Sequence, residues 1–551
     1  MENLSNEIYY EIFDYLDGCD IYQSFSNLNH RFQQLLNSSS LLYKLKFHFE
    51  TDDLFMGKHQ YIKYLNRNQI LSLNLSSKIH YIDKFFSSFN INSLFYQLRS
   101  ISLEKVKSET LVILLKDFIH LPSLTSLNIQ SYDELLDLSQ IYLLIFSLSK
   151  LKYLTISSNE FKDSLELPAY STENHHEMSS IEHLNIDHHV TFKELSTIIS
   201  YLPKLYDLEF VHEIEDDSTV KLITYDELSK LTKISMTISD LNFNEMYIFL
   251  TKLPSTLKIF KFILWKIDID YLDFEMWQDL IEEYFPQLDK FYFNYNAGCS
   301  DEDEWIFNGC MLNEFISPFW INRRLSVEIS RDQNFISIKM KSYKKRWYEL
   351  IALNEKFNMN RSTLLSIQYI PDEDKYLKFL FEEIEWITDF ATIYHLEITQ
   401  PFFIGILNKI FDILPYLDSL KISSIILPTV TLLDDDELDQ FENIAIYNSI
   451  TKVCLEKMNT FDDVHFLLDL FPRLNYLQIG FQSDIDIQLF FQVIFMKIIN
   501  KDDYNIRSLA ITIPTADDQM VNEIQDLIQI KNLLFNYKIT RTNDTIFLQI
   551  E

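Results

Sequence analysis

The sequence predicts an α/β solenoid, with a parallel sheet on its concave face and helices on its convex face, set behind a small all-α module. Three observations predict it. A six-residue apolar pattern recurs along most of the chain, helix-forming stretches lie between its copies, and the opening segment has a texture that occurs only once.

The pattern is an apolar residue, two variable ones, an apolar residue, one variable one and an apolar residue. It reads LTSLNI from Leu124, LKYLTI from Leu151, IEHLNI from Ile181 and LYDLEF from Leu205, and returns as IYHLEI from Ile393 and LNYLQI from Leu474. Its central apolar residues follow one another at 24 to 31 residues from Leu73 to Phe291, and at 24 to 33 residues from Leu396 to Leu509. The closing apolar pair alternates with polar residues, which is a short strand with one buried face. Helical stretches such as Glu109–Ile119, Leu135–Leu148 and Glu194–Tyr201 fill the intervals, the last with Thr191 and Glu194 at capping-box spacing. Pro122, Pro203, Pro254, Pro286, Pro415 and Pro472 stand before strands, where proline cannot continue a helix and favours an extended predecessor. A strand, a crossover helix and a strand at this period give a parallel sheet whose strands each need a neighbour, hence a solenoid.

The interval from about 294 to 392 is the least regular. LSVEIS and LLSIQY read as degenerate copies, so strands at Leu325–Ile329 and Leu365–Tyr369 are expected to join one sheet. The domain reading is a three-helix module over 1–48 and a solenoid over 49–551, irregular at about 294–392. In period and apolar spacing the second part resembles the leucine-rich repeat family, whose LxxLxLxxN pattern is met in full by LKYLTISSN, Leu151 to Asn159. Elsewhere the asparagine position holds other residues, such as Tyr132 or His189.

In the opening segment Leu4, Ile8, Ile12 and Leu16 fall at i, i+4 spacing and line one stripe of a helix expected from Ser5 to Gly18. Asp20 is expected to cap a second helix and Asn29 a third. LSNEI, IFDYL, Asp20-Ile21 and LNHRF, taken together, resemble an F-box, with Ser5 where the family has proline. That resemblance implies docking onto the Skp-family adaptor of a cullin-RING ubiquitin ligase through Leu4, Ile8, Ile12, Leu16, Leu28 and Phe32. It also implies that the trailing repeats capture a protein substrate.

Composition removes other classes. The six glycines are scattered, which excludes the clustered glycines of phosphate-binding loops. A net charge of -33 repels a phosphate backbone, so no nucleic acid is expected as partner. The four cysteines are too sparse for a disulfide framework, no secretory leader is visible and no apolar run is long enough to span a membrane. A soluble protein, cytoplasmic and/or nuclear, follows. The histidines at His175, His176, His183, His188 and His189 lack metal-site spacing, and the acidic runs Asp301–Glu304 and Asp434–Glu437 lack a calcium-loop pattern. Neither a metal, a cofactor nor an enzyme activity is expected.

On the strands, variable positions point away from the buried face. They list a concave wall that begins acidic, with His183, Asp187, Asp207 and Glu209, and turns basic, with Lys233, Lys261 and Lys290. The wall is the candidate substrate surface. The leading function is a substrate-recognition subunit of an SCF-type ubiquitin ligase, and the alternative is a protein-interaction scaffold outside the ubiquitin pathway.

Overall fold

The structure, a computed structural model, describes residues 4–49, 64–77, 81–158, 165–168, 179–212, 228–265, 269–298, 317–350, 361–427, 448–481, 487–500 and 506–550, apart from positions 90, 133, 134, 136, 240, 333, 334, 372, 515, 532 and 535. The fold is mixed α/β. The chain divides into two compact units, Met1–Leu264 with Leu280–Lys290, and Trp265–Asp279 with Phe291–Glu551.

The first unit opens with α1 (Asn6–Asp14), α2 (Gly18–Phe25) and α3 (His30–Asn37). Its strands are β1 (Tyr43–Phe49), β2 (Ile70–Ser77), β3 (Ser100–Val106), β4 (Ser126–Ser131), β5 (Tyr153–Ser157), β6 (His183–Val190), β7 (Asp207–His212), β8 (Lys233–Ile238) and β9 (Ile259–Trp265). Each pairs in parallel with the next. Parallel neighbours need a crossover of a dozen or more residues, which the repeat length supplies. The central residues of the sequence pattern stand opposite one another: Leu73 to Ile101, Leu127, Leu154, Leu184, Leu208, Ile234 and Phe260. All are buried. Leu45 in β1 extends this row one strand earlier, from LYKLKF, a further copy of the pattern.

Helices fill the crossovers at Ser108–Phe118, Leu138–Phe146 and Phe192–Ser200. The last carries the capping box read from sequence: Glu194 N donates to Thr191 Oγ1 at 3.2 Å, and Thr191 N donates to Glu194 Oε2 at 2.9 Å. A bulge at Asp187 and His188 shifts the register of β6 and turns His188 inward, where its Nε2 accepts from the Tyr142 hydroxyl at 2.8 Å.

The second unit contains β10 (Lys290–Gly298), β11 (Leu325–Arg331), β12 (Phe335–Ser342), β13 (Leu364–Ile367), β14 (His395–Ile398), β15 (Phe402–Phe403), β16 (Ser419–Ile422), β17 (Ile425–Ile426), β18 (Lys452–Leu455), β19 (Tyr476–Gly480), β20 (Ser508–Thr512), β21 (Tyr537–Thr542) and β22 (Thr545–Ile550). β11, β13, β14, β16, β18, β19 and β20 form a parallel run, with Ile329, Leu365, Leu396, Leu420, Val453, Leu477 and Leu509 in one register. The strands expected near Leu325 and Leu365 do share a sheet. β15 and β17 pair separately.

Two places depart from the expected all-parallel arrangement. β12 runs antiparallel between β10 and β11. Only 332–334 separate it from β11, too short a link for a crossover, so the chain must turn back as a hairpin. At the end, β22 pairs antiparallel with both β20 and β21, and a two-residue turn at Asn543 and Asp544 places Asn543 at φ 52°.

Candidate functional site

Three surfaces carry the sequence-predicted residues or their counterparts. In the helical module Ser5 occupies the N-cap of α1, and burial divides the helix sharply. Tyr9 and Phe13 are in the core, where Tyr9 meets Phe32 edge-on at 5.0 Å between ring centroids and Phe13 meets Phe25 at 5.1 Å. The opposite stripe faces solvent: Leu4, Ile8, Ile12 and Leu16 are 36, 41, 40 and 39% exposed, beside Leu28 at 59% and Tyr15 at 92%. Phe32 departs from the predicted set. Only 5% exposed and packed on Tyr9 and Phe25, its ring holds α3 against α1 and is not available to a partner.

Two cap assignments also change. α1 ends at Asp14 rather than Gly18, which instead begins α2 with Asp17 as its cap, accepting from Cys19 N at 2.8 Å. Gly18 is required there because a Cβ would lie 2.7 Å from Leu45 Cδ2 and 3.0 Å from Tyr43 Cβ, so only glycine lets α2 approach β1 so closely. Asn29 caps α3 as expected, accepting from Phe32 N at 3.1 Å. The Gln69 amide donates to the carbonyls of Ser38 at 2.7 Å and Leu41 at 3.0 Å, and the Tyr43 hydroxyl donates to Leu36 O at 2.9 Å. These bonds tie the module to the first strands.

The second surface is the outward face of the first unit's strands. The candidate residues from His183 to Lys261 do lie on it, but the acidic and basic positions are not separate tracts. Lys233 Nζ donates to Asp207 Oδ2 at 2.9 Å, and His183 Nδ1 lies 3.2 Å from the same oxygen. Lys261 reaches Glu209 at 3.7 Å across β8, where Ser235 donates to Glu209 at 3.1 Å. Charge is thus paired along the wall. The pairing was readable, since Asp207 and Lys233 each precede a central apolar residue and in-register strands must bring them side by side. Tyr153 stacks on His183 at 4.3 Å, and Tyr206 bonds His183 Nε2. Asp187, at the bulge, and Lys290, at the start of β10, are exposed.

The third surface was not predicted. In the second unit Tyr343–Leu350 crosses the outward strand face. Trp347 packs on Tyr476 at 5.3 Å, Phe547 packs against the same cluster of Tyr348, Tyr476 and Ala510, and Tyr348 is buried between His395 and Lys452, whose ammonium lies 5.0 Å from the ring centroid. Arg346 Nη2 donates to Ser362 O at 2.8 Å and Nη1 lies 3.8 Å from Glu328, while Glu349 accepts from the Tyr343 hydroxyl at 2.6 Å and from Arg346 N at 2.9 Å. Burial, with the Arg346 charge added, lowers the His395 pKa from 6.5 to about 4. Neutral, the ring donates from Nε2 to Arg361 O and accepts at Nδ1 from Ser419, both at 2.7 Å. Burial also pushes the Cys454 thiol up to about 12, so it stays protonated at neutral pH.

Among the described residues no group of three or more His, Cys, Asp or Glu could hold a metal ion, and no helix is long and apolar enough to cross a membrane. His175, His176, Asn159, Asp301–Glu304 and Asp434–Glu437 lie outside the described residues.

The F-box domain family matches residues 1–44. F-box domains bind Skp-family adaptors in SCF complexes. No curated protein matches the chain.

Proposed function

We propose that the chain is a substrate-recognition subunit of an SCF-type cullin-RING ubiquitin ligase, with the module docked on the Skp-family adaptor and the strand repeats, a leucine-rich-repeat-type solenoid, capturing a protein substrate. The chain itself supplies no catalytic residue on this reading, and it works in the cytoplasm, the nucleus or both.

The observation that carries it is the division of α1. α2 and α3 turn aliphatic residues inward, Ile21, Leu35 and Leu36, yet on α1 it is Tyr9 and Phe13 that enter the core while Ile8, Ile12 and their neighbours face solvent. Burying a fully exposed aliphatic side chain contributes roughly 1.5–3 kcal/mol, and these are about 40% exposed, so each adds roughly 1 kcal/mol when a partner covers it. A handful of them suffices for a stable contact.

The test is Ile8→Asp with Ile12→Asp in the full chain, measured by binding to purified Skp-family adaptor. Binding is expected to fall at least about a hundredfold, because a carboxylate desolvated in an apolar contact is costly. The strand repeats should keep their melting transition, since neither side chain is in the core. Undiminished binding by the double variant removes the ligase reading and leaves a protein-interaction scaffold.

A further inference from the structure

We infer that the second unit carries a docking surface for an acidic polypeptide segment, formed by Arg324, Lys344, Lys345 and Arg361. The inference is independent of the adaptor reading.

Its first support is charge segregation. The whole chain has 48 basic against 81 acidic residues, but between Arg323 and Arg346 eight basic side chains stand against two acidic ones, Glu328 and Asp332. The second is placement. Tyr343 N donates to Arg324 O at 2.7 Å, which sets Arg324 beside the start of the crossing segment and therefore beside Lys344 and Lys345. Arg346 reaches the Ser362 carbonyl, next to Arg361, and the Arg361 carbonyl accepts from His395 under the same segment.

Among the described residues the nearby glutamates are already engaged. Glu328 takes Lys341 at 2.6 Å and Arg346 at 3.8 Å, and Glu349 is held by Tyr343 and Arg346. Arg324, Lys344, Lys345 and Arg361 are exposed, and among the described residues none has an ion-pair partner. They also stand on a fixed base. Trp347 and Tyr348 anchor the segment to the strand face, so its lysines are presented with little ordering left to do.

The partner's class follows from range. At physiological salt a charge is screened over roughly 8 Å, so these four cations act on a short ligand while the remote acidity of the chain does not. A nucleic acid would extend well beyond the patch and meet that negative surface. A peptide segment rich in Asp and Glu fits within it, and complementary charge would set its orientation and association rate.

The experiment uses the full chain and a short fluorescent peptide of alternating Asp and Glu, read by anisotropy at several salt concentrations. Wild type is expected to bind with an affinity that falls steeply as salt rises. Arg324→Glu with Lys344→Glu and Lys345→Glu should weaken binding about tenfold or more. A control reversing Lys116, Lys150 and Lys378 to glutamate, which changes net charge equally at exposed sites elsewhere, should bind like wild type within about twofold. An unchanged melting transition shows that both variants fold, and Lys344→Gln with Lys345→Gln, expected to give an intermediate loss, keeps the comparison if the reversal does not. No binding by wild type, equal losses in patch and control variants, equal binding of an uncharged peptide of the same length with Asn and Gln in place of Asp and Glu, or tighter binding of a short single-stranded oligonucleotide each overturns the proposal.

Discussion

The strand faces of the two units use the same residue types at the same place in the repeat, yet one is open and the other covered. His183 and His395 each precede the central apolar residue of their strand, as do Lys233 and Lys452, and Tyr153 and Tyr476. In the first unit Tyr153 is 47% exposed, whereas in the second Tyr476 is 6% exposed and His395 3%. Position in the repeat therefore fixes which way a side chain points but not what it meets. The difference is made by Tyr343–Leu350, a segment that belongs to no repeat.

The largest effect expected from this contrast comes from removing the cover. Tyr348→Ala deletes a buried ring between His395 and Lys452 and leaves a cavity, which costs about 3 to 5 kcal/mol by analogy with other buried aromatics. Tyr153→Ala, at an open position on the other face, should cost well under half as much. Urea denaturation of the two variants makes the comparison. Equal losses would mean that the segment rests on the second face without stabilising it.

A smaller effect is expected from acid. Burial holds both His395 and, in the first unit, His188 at a pKa of about 4 in the folded chain, against 6.5 when unfolded. Between those values the unfolded chain binds protons that the folded chain refuses, so stability is full above pH 6.5 and declines as pH falls towards 4. Each imidazole contributes on the order of 3 kcal/mol to that decline. Replacing His395 by glutamine should flatten the acid limb of a urea-midpoint titration by about half, because His188 remains. A limb that keeps its full slope would place the titrating groups elsewhere.

Much of this was legible in the chain itself, for a physical reason. Parallel strands joined by crossovers of near-constant length repeat their apolar residues at near-constant intervals, so aligning Leu154 with Leu184 and Leu208 in the sequence reproduces their register in the sheet. The helical module was harder. Ile8, Ile12 and Leu16 form one i, i+4 stripe and Tyr9 and Phe13 another, and periodicity cannot tell which goes inward. The aromatic stripe took the core and drew Phe32 with it. The crossing segment had no period at all. Its only sequence signal was a basic and aromatic cluster, YKKRWY, in an acidic chain. The β11–β12 hairpin was hidden for a related reason, since both strands alternate apolar and polar residues as the repeats do, and only the shortness of the 332–334 link betrays the reversal.

The smallest expected effect concerns the ion pairs. Lys452 meets Asp418 at 2.7 Å beneath the crossing segment, and although burial acts against its charge, hydrogen bonds from Lys452 and Thr451 keep the Asp418 carboxyl below its ordinary pKa. Lys233 meets Asp207 at 2.9 Å on the open face, where water reaches the ammonium. An exposed pair gains little, because Coulomb attraction is screened and two flexible side chains must be ordered. Lys233→Met should therefore cost no more than about 1 kcal/mol, and His183 remains 3.2 Å from the abandoned carboxylate. The same change at Lys452, whose side chain is 12% exposed against 41% for Lys233, removes a well-buried cation and leaves the Asp418 carboxylate, among the described residues, with Thr451 alone, so it should cost more. Melting both variants at low and high salt sharpens the point, since only the open pair should respond to ionic strength. If Lys233→Met proves as damaging as Lys452→Met and as insensitive to salt, the first strand face is no more open to solvent than the second.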